Sequence, residues 1–229
     1  MRRQAGFTLI EIAIVLVIIG LLLGGVLKGQ GLITSARVRN LISQQDGVKA
    51  AFYGFLDRYR AYPGDYAQAS TNITGVANTS DGNGNGQIQS TALGGAIDEH
   101  IAVWEHLSKA GFINGSYTYA AATLSPATSP SNPYAMFLVL IYDNVYDPAG
   151  GAARHNLKTG NQIPADILAE VDRKIDDGLA MGGSFRFSAM TGLTTGTAPT
   201  GGGSCYNAGT GQWIVTGTVQ TNCAGTSLF

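Results

Sequence analysis

The sequence predicts an α+β protein: a long N-terminal α-helix whose first half spans a membrane, then a C-terminal globular head containing an antiparallel sheet. Three observations carry this. From Phe7 to Leu27 only Thr8 and Glu11 are clearly polar, and a helix of that length, at ~1.5 Å per residue, matches a hydrocarbon core of ~30 Å. Apolar residues then continue at helical spacing as far as Tyr59. The rest of the chain mixes helical and alternating patterns between glycine-rich loops. Residues 1–60 hold eight Lys/Arg against three Asp/Glu, and residues 61–229 hold six against twelve, so a basic, apolar front precedes an acidic remainder. Charged residues are 13% of the chain, about half the ~25% usual for soluble domains. That composition suits a surface or secreted protein, and the net charge of −1 gives no ground for nucleic-acid binding.

The elements follow in order. Residues 1–6 are a short basic leader, with Arg2 and Arg3 holding the extreme N-terminus in the cytoplasm and the body outside. Residues 7–27 form the transmembrane half of the helix. Residues 28–61 form its amphipathic half, with Val38, Leu41, Ile42, Val48, Phe52, Phe55, Leu56 and Tyr59 at helical spacing. The residue before Pro63 is biased away from helix, so the stop falls near Ala61. Residues 62–229 are the extracytoplasmic head. A second helix covers His100 to Ala110, with Gly111 as its stop, and a third opens at Pro164 and closes at Gly178. Phe185 to Ser188 and Gln212 to Val219 alternate as strands. Met136 to Tyr142 is a buried run that reads equally as helix or strand. Gly75 to Gly95 and Thr194 to Gly203 are loops.

Read without further pattern, the apolar run is a secretory signal peptide or a plain membrane anchor. It exceeds the usual ~7–15-residue signal core and lacks a small-residue cleavage site after Leu27. A plain anchor does not explain Glu11, because a carboxylate in lipid costs roughly 2.5–3.5 kcal/mol and is functional by default. The string Gly6-Phe7-Thr8-Leu9-Ile10-Glu11, after a short basic leader and before an apolar run, resembles the type IV prepilins and the related pseudopilins of type II secretion. The resemblance is specific over residues 1–40. It implies cleavage after Gly6 by a prepilin peptidase, N-methylation of Phe7, and a carboxylate at Glu11 that meets the N-terminal amine of a neighbouring subunit. Buried side by side, the two charges satisfy each other. Looser likenesses in the head, among them Tyr59 to Asp65, Asp81 to Ile88, Trp104 to Gly115 and Asp172 to Gly178, resemble a large minor pilin or a pseudopilin.

Within the head, Asp81-Gly82-Asn83-Gly84-Asn85-Gly86-Gln87-Ile88 matches the first half of a calcium loop, D-x-[DN]-x-[DN]-G. Asp81, Asn83, Asn85 and the Gln87 carbonyl are the candidate ligands. The twelfth position is Ala92, so the usual bidentate Glu is missing, and Asp98 or Glu99 would have to replace it from a distance. The competing reading is a metal-free Gly/Asn turn. Cys205 and Cys223 are the only cysteines, and in an extracytoplasmic head they pair. His100, His106 and His155 lack metal-pair spacing, and Asp172, Asp176 and Asp177 read as a solvated face or a cap network. No phosphate loop, nucleophile elbow or paired catalytic carboxylate stands out.

The expectation is therefore a non-enzymatic, pilin-like subunit. Its partners are the prepilin peptidase/methylase, other pilin or pseudopilin subunits and the inner membrane, and its one candidate cofactor is Ca²⁺. The alternative is a membrane-anchored periplasmic binding or sensor domain that does not polymerise.

Overall fold

The computed structural model describes residues 8–146, 151–193 and 197–229. It divides into two compact units, one ending at Arg37 and one running from Val38 to Phe229. Helix α1, Leu9–Tyr59, is continuous through both. It ends close to the expected stop, and Arg60 leaves it with φ +56°, a left-handed conformation that breaks the helical path.

In the second unit, α1 is followed by the single-turn helix α2 (Ala69–Asn72) and by two 3₁₀ turns at Asn78–Ser80 and Thr91–Leu93. Helix α3 is Glu99–Lys109, within a residue of its expected place. Strands β1 (Val139–Asp143) and β2 (Arg154–Lys158) precede helix α4 (Ala165–Ile175), and strands β3 (Phe185–Phe187) and β4 (Gly225–Leu228) complete the fold. The four strands form one antiparallel sheet in the order β1-β2-β4-β3. Leu140 lies opposite Leu157, Leu157 opposite Ser227, and Ser227 opposite Phe185. The undecided run at 136–142 is thus settled largely as strand. Within the Thr194–Gly203 loop, residues 194–196 lie outside the described residues.

One expected strand does not form. Gln212 and Trp213 make only isolated bridges, to Leu179 and Tyr206, and Ile214 to Val219 join no strand. Glycines with left-handed φ stand just before the segment, at Gly211, and inside it, at Gly217. It is anchored by its indole instead: buried Trp213 donates Nε1–H to Asp172 Oδ2 at 2.7 Å. The missing strand is replaced by β4, whose Gly-Thr-Ser-Leu lacks apolar alternation. It lies between β2 and β3, where a Cβ on Gly225 would meet the Phe185 ring at 2.3 Å. Only glycine lets that strand approach the ring.

The sheet separates two apolar layers. Leu138, Leu140 and Leu157 pack with Val48, Phe52 and Phe55 of α1 and with Trp104 and Leu107 of α3. Val139 and Ile141 turn the other way, towards Met190, Leu193 and Ala224. A further cluster joins Val38 and Leu41 of α1 to α4, Phe185, Trp213 and the Cys205–Cys223 disulfide. Between β1 and β2 lies a buried ion pair. Lys158 Nζ donates to Asp143 Oδ1 at 2.9 Å and to Ser188 Oγ at 3.3 Å, and Asn156 Nδ2 donates to the same Asp143 oxygen at 2.9 Å.

A buried histidine fixes the start of the head. Nδ1 of His106 accepts the Gly64 N–H at 2.9 Å, and its Nε2 lies 2.9 Å from the Ser80 carbonyl, which takes the ring proton. His106 thereby ties α3 to the turn after α1 and to the 3₁₀ turn before Asp81. Burial lowers its pKa from 6.5 to about 4, so the clamp works with a neutral ring.

Two outcomes follow from these buried charges. Asp143→Ala strands the Lys158 ammonium in the interior and should lower the unfolding free energy by about 3–5 kcal/mol, whereas the double change Asp143→Leu, Lys158→Met should recover most of that loss; denaturant titration of the three variants checks both. For His106, the unfolded chain takes up a proton below pH 6.5 and the folded chain does so only near pH 4. The stability it contributes at pH 7 is therefore lost as pH falls through that window. The stability gap between wild type and His106→Asn should narrow by about 2 kcal/mol between pH 7 and pH 5. An unchanged gap would show that His106 is not held neutral.

Candidate functional site

Two regions hold the residues singled out from the sequence, and they belong to the two units separately. In the first, Gly6 and Phe7 lie outside the described residues. Thr8 is the residue before helix α1, and Glu11 stands in its first turn. The Thr8 N–H and Oγ–H both donate to Glu11 Oε2, at 2.8 and 2.6 Å, and the Glu11 N–H reaches Thr8 Oγ at 3.3 Å. This reciprocal capping box satisfies donors that the start of a helix leaves without intrahelical partners. It also holds the carboxylate at the positive end of the helix dipole. No ion pair holds Glu11 among the described residues.

Beyond Glu11 the helix presents apolar side chains on every side: Leu16 is 64% exposed, Leu21 72% and Leu27 69%. An 18-residue window of α1 has a mean hydropathy of 2.8 and none of it is buried within the protein. By length and composition this segment is suited to crossing a membrane. Apolar character all round a helix, with no protein packed on it, calls for an apolar surrounding.

In the second unit, the loop Asp81–Gln87 folds around two carboxylates that come from elsewhere in the chain. Asp65, in the turn after α1, is 3% exposed, and Glu99, the first residue of α3, is 0% exposed. Asp65 Oδ1 accepts the Asn85 N–H at 3.0 Å, its Oδ2 accepts the Gly86 N–H at 2.8 Å, and its carbonyl accepts the Gly84 N–H at 2.8 Å. Glu99 Oε1 accepts the Asn83 N–H at 3.1 Å and its Oε2 the Gln89 N–H at 2.9 Å. The loop lies so close that a Cβ on Gly82 would meet the Asp65 Cα at 2.4 Å. Burial first, with the Asp65 charge adding to it, pushes Glu99 up to about 7, and burial also raises Asp65.

Of the four expected ligands, Asn83 and Asn85 use their side-chain oxygens to hold the turn. Asn83 Oδ1 accepts the Asn85 N–H at 2.9 Å, and Asn85 Oδ1 accepts the Gln87 N–H at 2.8 Å. Asp81 is turned away from them. Its two oxygens accept the Ser70 N–H at 2.7 Å and the Ser70 Oγ–H at 2.6 Å, in the first turn of α2. Asp65 has no sequence signal tying it to this loop. Glu99 was within view as a distant replacement for the missing Glu, and it is the acid that folding brings in, while Asp98 bonds Thr91 and Ala122 instead.

Cys205 and Cys223 form the expected disulfide. Asp172, Asp176 and Asp177 lie together at the end of α4. Asp172 is not on a solvated face: it is buried against Trp213, and burial, with Asp177 and Asp176 close by, raises it to about 6. Asp176 caps the start of β3, accepting the N–H groups of Ser184 and Phe185.

No curated protein and no solved structure matches the chain. One family model does, and it falls on the segment that holds Thr8, Glu11 and the first half of α1. Residues 1–27 match the prokaryotic N-terminal methylation motif, the signature of type IV prepilin-like proteins.

Proposed function

We propose that the chain is a structural, pilin-like subunit: cut after Gly6 by a prepilin peptidase, methylated on Phe7, held in the inner membrane with its head outside, and then incorporated into a type IV pilus or a type II secretion pseudopilus. The observation that carries this reading is the methylation motif at residues 1–27 on a helix whose apolar surface has no protein partner. Glu11 supports it. In hydrocarbon its charge is costly, and Thr8 supplies hydrogen bonds but no positive charge. A neighbour's N-terminal ammonium supplies that charge when subunits dock, and its own burial is relieved in the same step. Cleavage matters because it creates that ammonium at Phe7, four residues before Glu11. The Cys205–Cys223 disulfide agrees with a head that folds in an oxidising compartment.

Two measurements test this. The mass of chain extracted from membranes of a peptidase-positive host should show loss of residues 1–6 and one added methyl group on Phe7; only intact chains beginning at Met1 would refute the processing. Glu11→Val should stay in the membrane, since it removes a polar group from lipid, yet enter filaments at least ~10-fold less often than wild type, the scale of losing a little over one kcal/mol at each docking step. Equal incorporation would refute the pairing. Cleaved wild-type chain that never enters a filament would instead favour a non-polymerising anchored domain.

A further inference from the structure

We propose that Lys158 becomes joined to Asn156 by an isopeptide bond that forms inside the folded head without an enzyme, with Asp143 as the acid–base catalyst. The inference concerns the interior of the head and stands or falls independently of processing and assembly.

The three side chains leave one face of the sheet. Asn156 and Lys158 are two residues apart on β2, and Asp143 of β1 lies opposite Arg154, two residues before Asn156. Lys158 and Asn156 are wholly buried and Asp143 nearly so. Asp143 Oδ1 accepts a Lys158 Nζ–H and an Asn156 Nδ2–H, each at 2.9 Å. One carboxyl oxygen therefore touches both the nucleophilic nitrogen and the nitrogen that would leave. At the other end of the amide, Thr226, opposite Lys158 on β4, donates its Oγ1–H to Asn156 Oδ1 at 2.9 Å. Nδ2 also donates to the Arg154 carbonyl at 3.0 Å, so the amide is gripped at both ends and its carbonyl is already polarised.

A second observation sets this cluster apart from a simple ion pair. Asp143 Oδ1 is crowded, accepting the Val145 N–H as well as the two side chains. Asp143 Oδ2 is buried and has no hydrogen-bond partner among the described residues. A permanent carboxylate leaves that oxygen unexplained, whereas a carboxylic acid carries its proton there. Burial lowers the Lys158 pKa, which brings the neutral, nucleophilic amine within reach.

The step is a transamidation. Asp143 takes one proton from Lys158 across their 2.9 Å contact, leaving a free amine beside a carboxylic acid. The Nζ lone pair adds to Asn156 Cγ, and the carbonyl π pair moves to Oδ1, where the Thr226 hydroxyl stabilises it. Asp143 then passes its proton to Nδ2 and takes a second one from Nζ. The Cγ–Nδ2 bond breaks with its electron pair on nitrogen, the carbonyl re-forms and ammonia leaves. An ammonium, a carboxylate and a primary amide become a secondary amide, a carboxylic acid and ammonia, with nothing oxidised or reduced. Holding amine, amide and acid in one buried cluster supplies the proximity that an amine needs to attack an amide. The ion pair is the state from which the step starts, and Asp143→Ala, which strands the ammonium, also removes the catalyst.

The test is peptide mapping by mass spectrometry of the full chain, taken from membranes, unfolded, reduced and digested with trypsin. An acylated Lys158 is no longer a trypsin site. Wild type should therefore yield a peptide running from His155 to Arg173, uncut after Lys158 and lighter than its sequence by one ammonia. In Asp143→Ala the same region should be cut after Lys158 and keep its full mass. Should that variant fail to fold, Thr226→Val should form the bond at least ~10-fold more slowly after synthesis, as expected on losing a donor to the developing oxyanion. Cleavage of wild type after Lys158 with unchanged mass would overturn the proposal. So would loss of one water with this peptide linked to the one that holds Asp143, which would make Asp143 the acyl partner. Loss of ammonia with Lys158 still cut would overturn it too, because a cyclised Asn side chain gives that mass and leaves the amine free.

Discussion

The head is built on one face of one helix. Val38, Leu41, Val48, Ala51, Phe52 and Phe55 of α1 are all buried, and each of the two largest apolar clusters contains part of that row. The disulfide, α4 and β3 gather at the Val38–Leu41 end, while α3 and the leucines of β1 and β2 gather at Val48–Phe55. Burying a Phe or Leu stabilises by roughly 1.5–3 kcal/mol, so the row is a large part of what the head's short strands and one-turn helices have to hold them. None of those strands exceeds five residues, and such a sheet needs a helix packed on it to persist. The same helix therefore changes character along its length. From Ile12 to Leu27 its side chains are exposed and apolar all round; after Arg37, one face is apolar and covered.

Four polar groups of the described chain are each bound to a specific partner. Lys158 has Asp143, Asp172 has Trp213, His106 has Gly64 and Ser80, and Glu11 has Thr8. Glu11 and Asp172 have neutral partners, which answer only the hydrogen-bonding half of an acid's need. A neutral hydroxyl and an N–H lower the cost of a carboxylate in lipid without cancelling its charge. On the reading proposed above, a neighbouring subunit's ammonium supplies the charge that remains unanswered.

How much of this was legible follows from where the apolar residues sit. The long helix, α3, α4 and β3 carry their periodicity on large side chains, and each is where the pattern places it. Strands β2 and β4 were not legible. Arg-His-Asn-Leu-Lys and Gly-Thr-Ser-Leu show no apolar alternation because their buried positions face polar partners, Asp143 for Lys158 and Asn156 for Thr226, or an aromatic ring against a bare backbone at Gly225. The Gln212–Val219 segment misled for the opposite reason. Its one strongly buried residue, Trp213, lies within the disulfide loop and is fixed by a hydrogen bond to Asp172 of α4, so alternation there records an anchor and not a ladder.

The loop at 81–87 shows the same limit at a site. A local motif fixes which oxygens a turn can present, and the sequence displays it in full. It does not fix which distant acids the fold delivers. Asp65 arrives because α1 ends at Tyr59 and the chain turns back at once; Glu99 arrives because α3 starts beside that turn. Gly82 allows the two segments to touch, and His106 holds both from the far side. Asp81, the most conspicuous acid of the motif, is drawn off by Ser70 because α2 begins within reach of it. Which acids surround this loop is thus a tertiary property, set by where two helices end and begin.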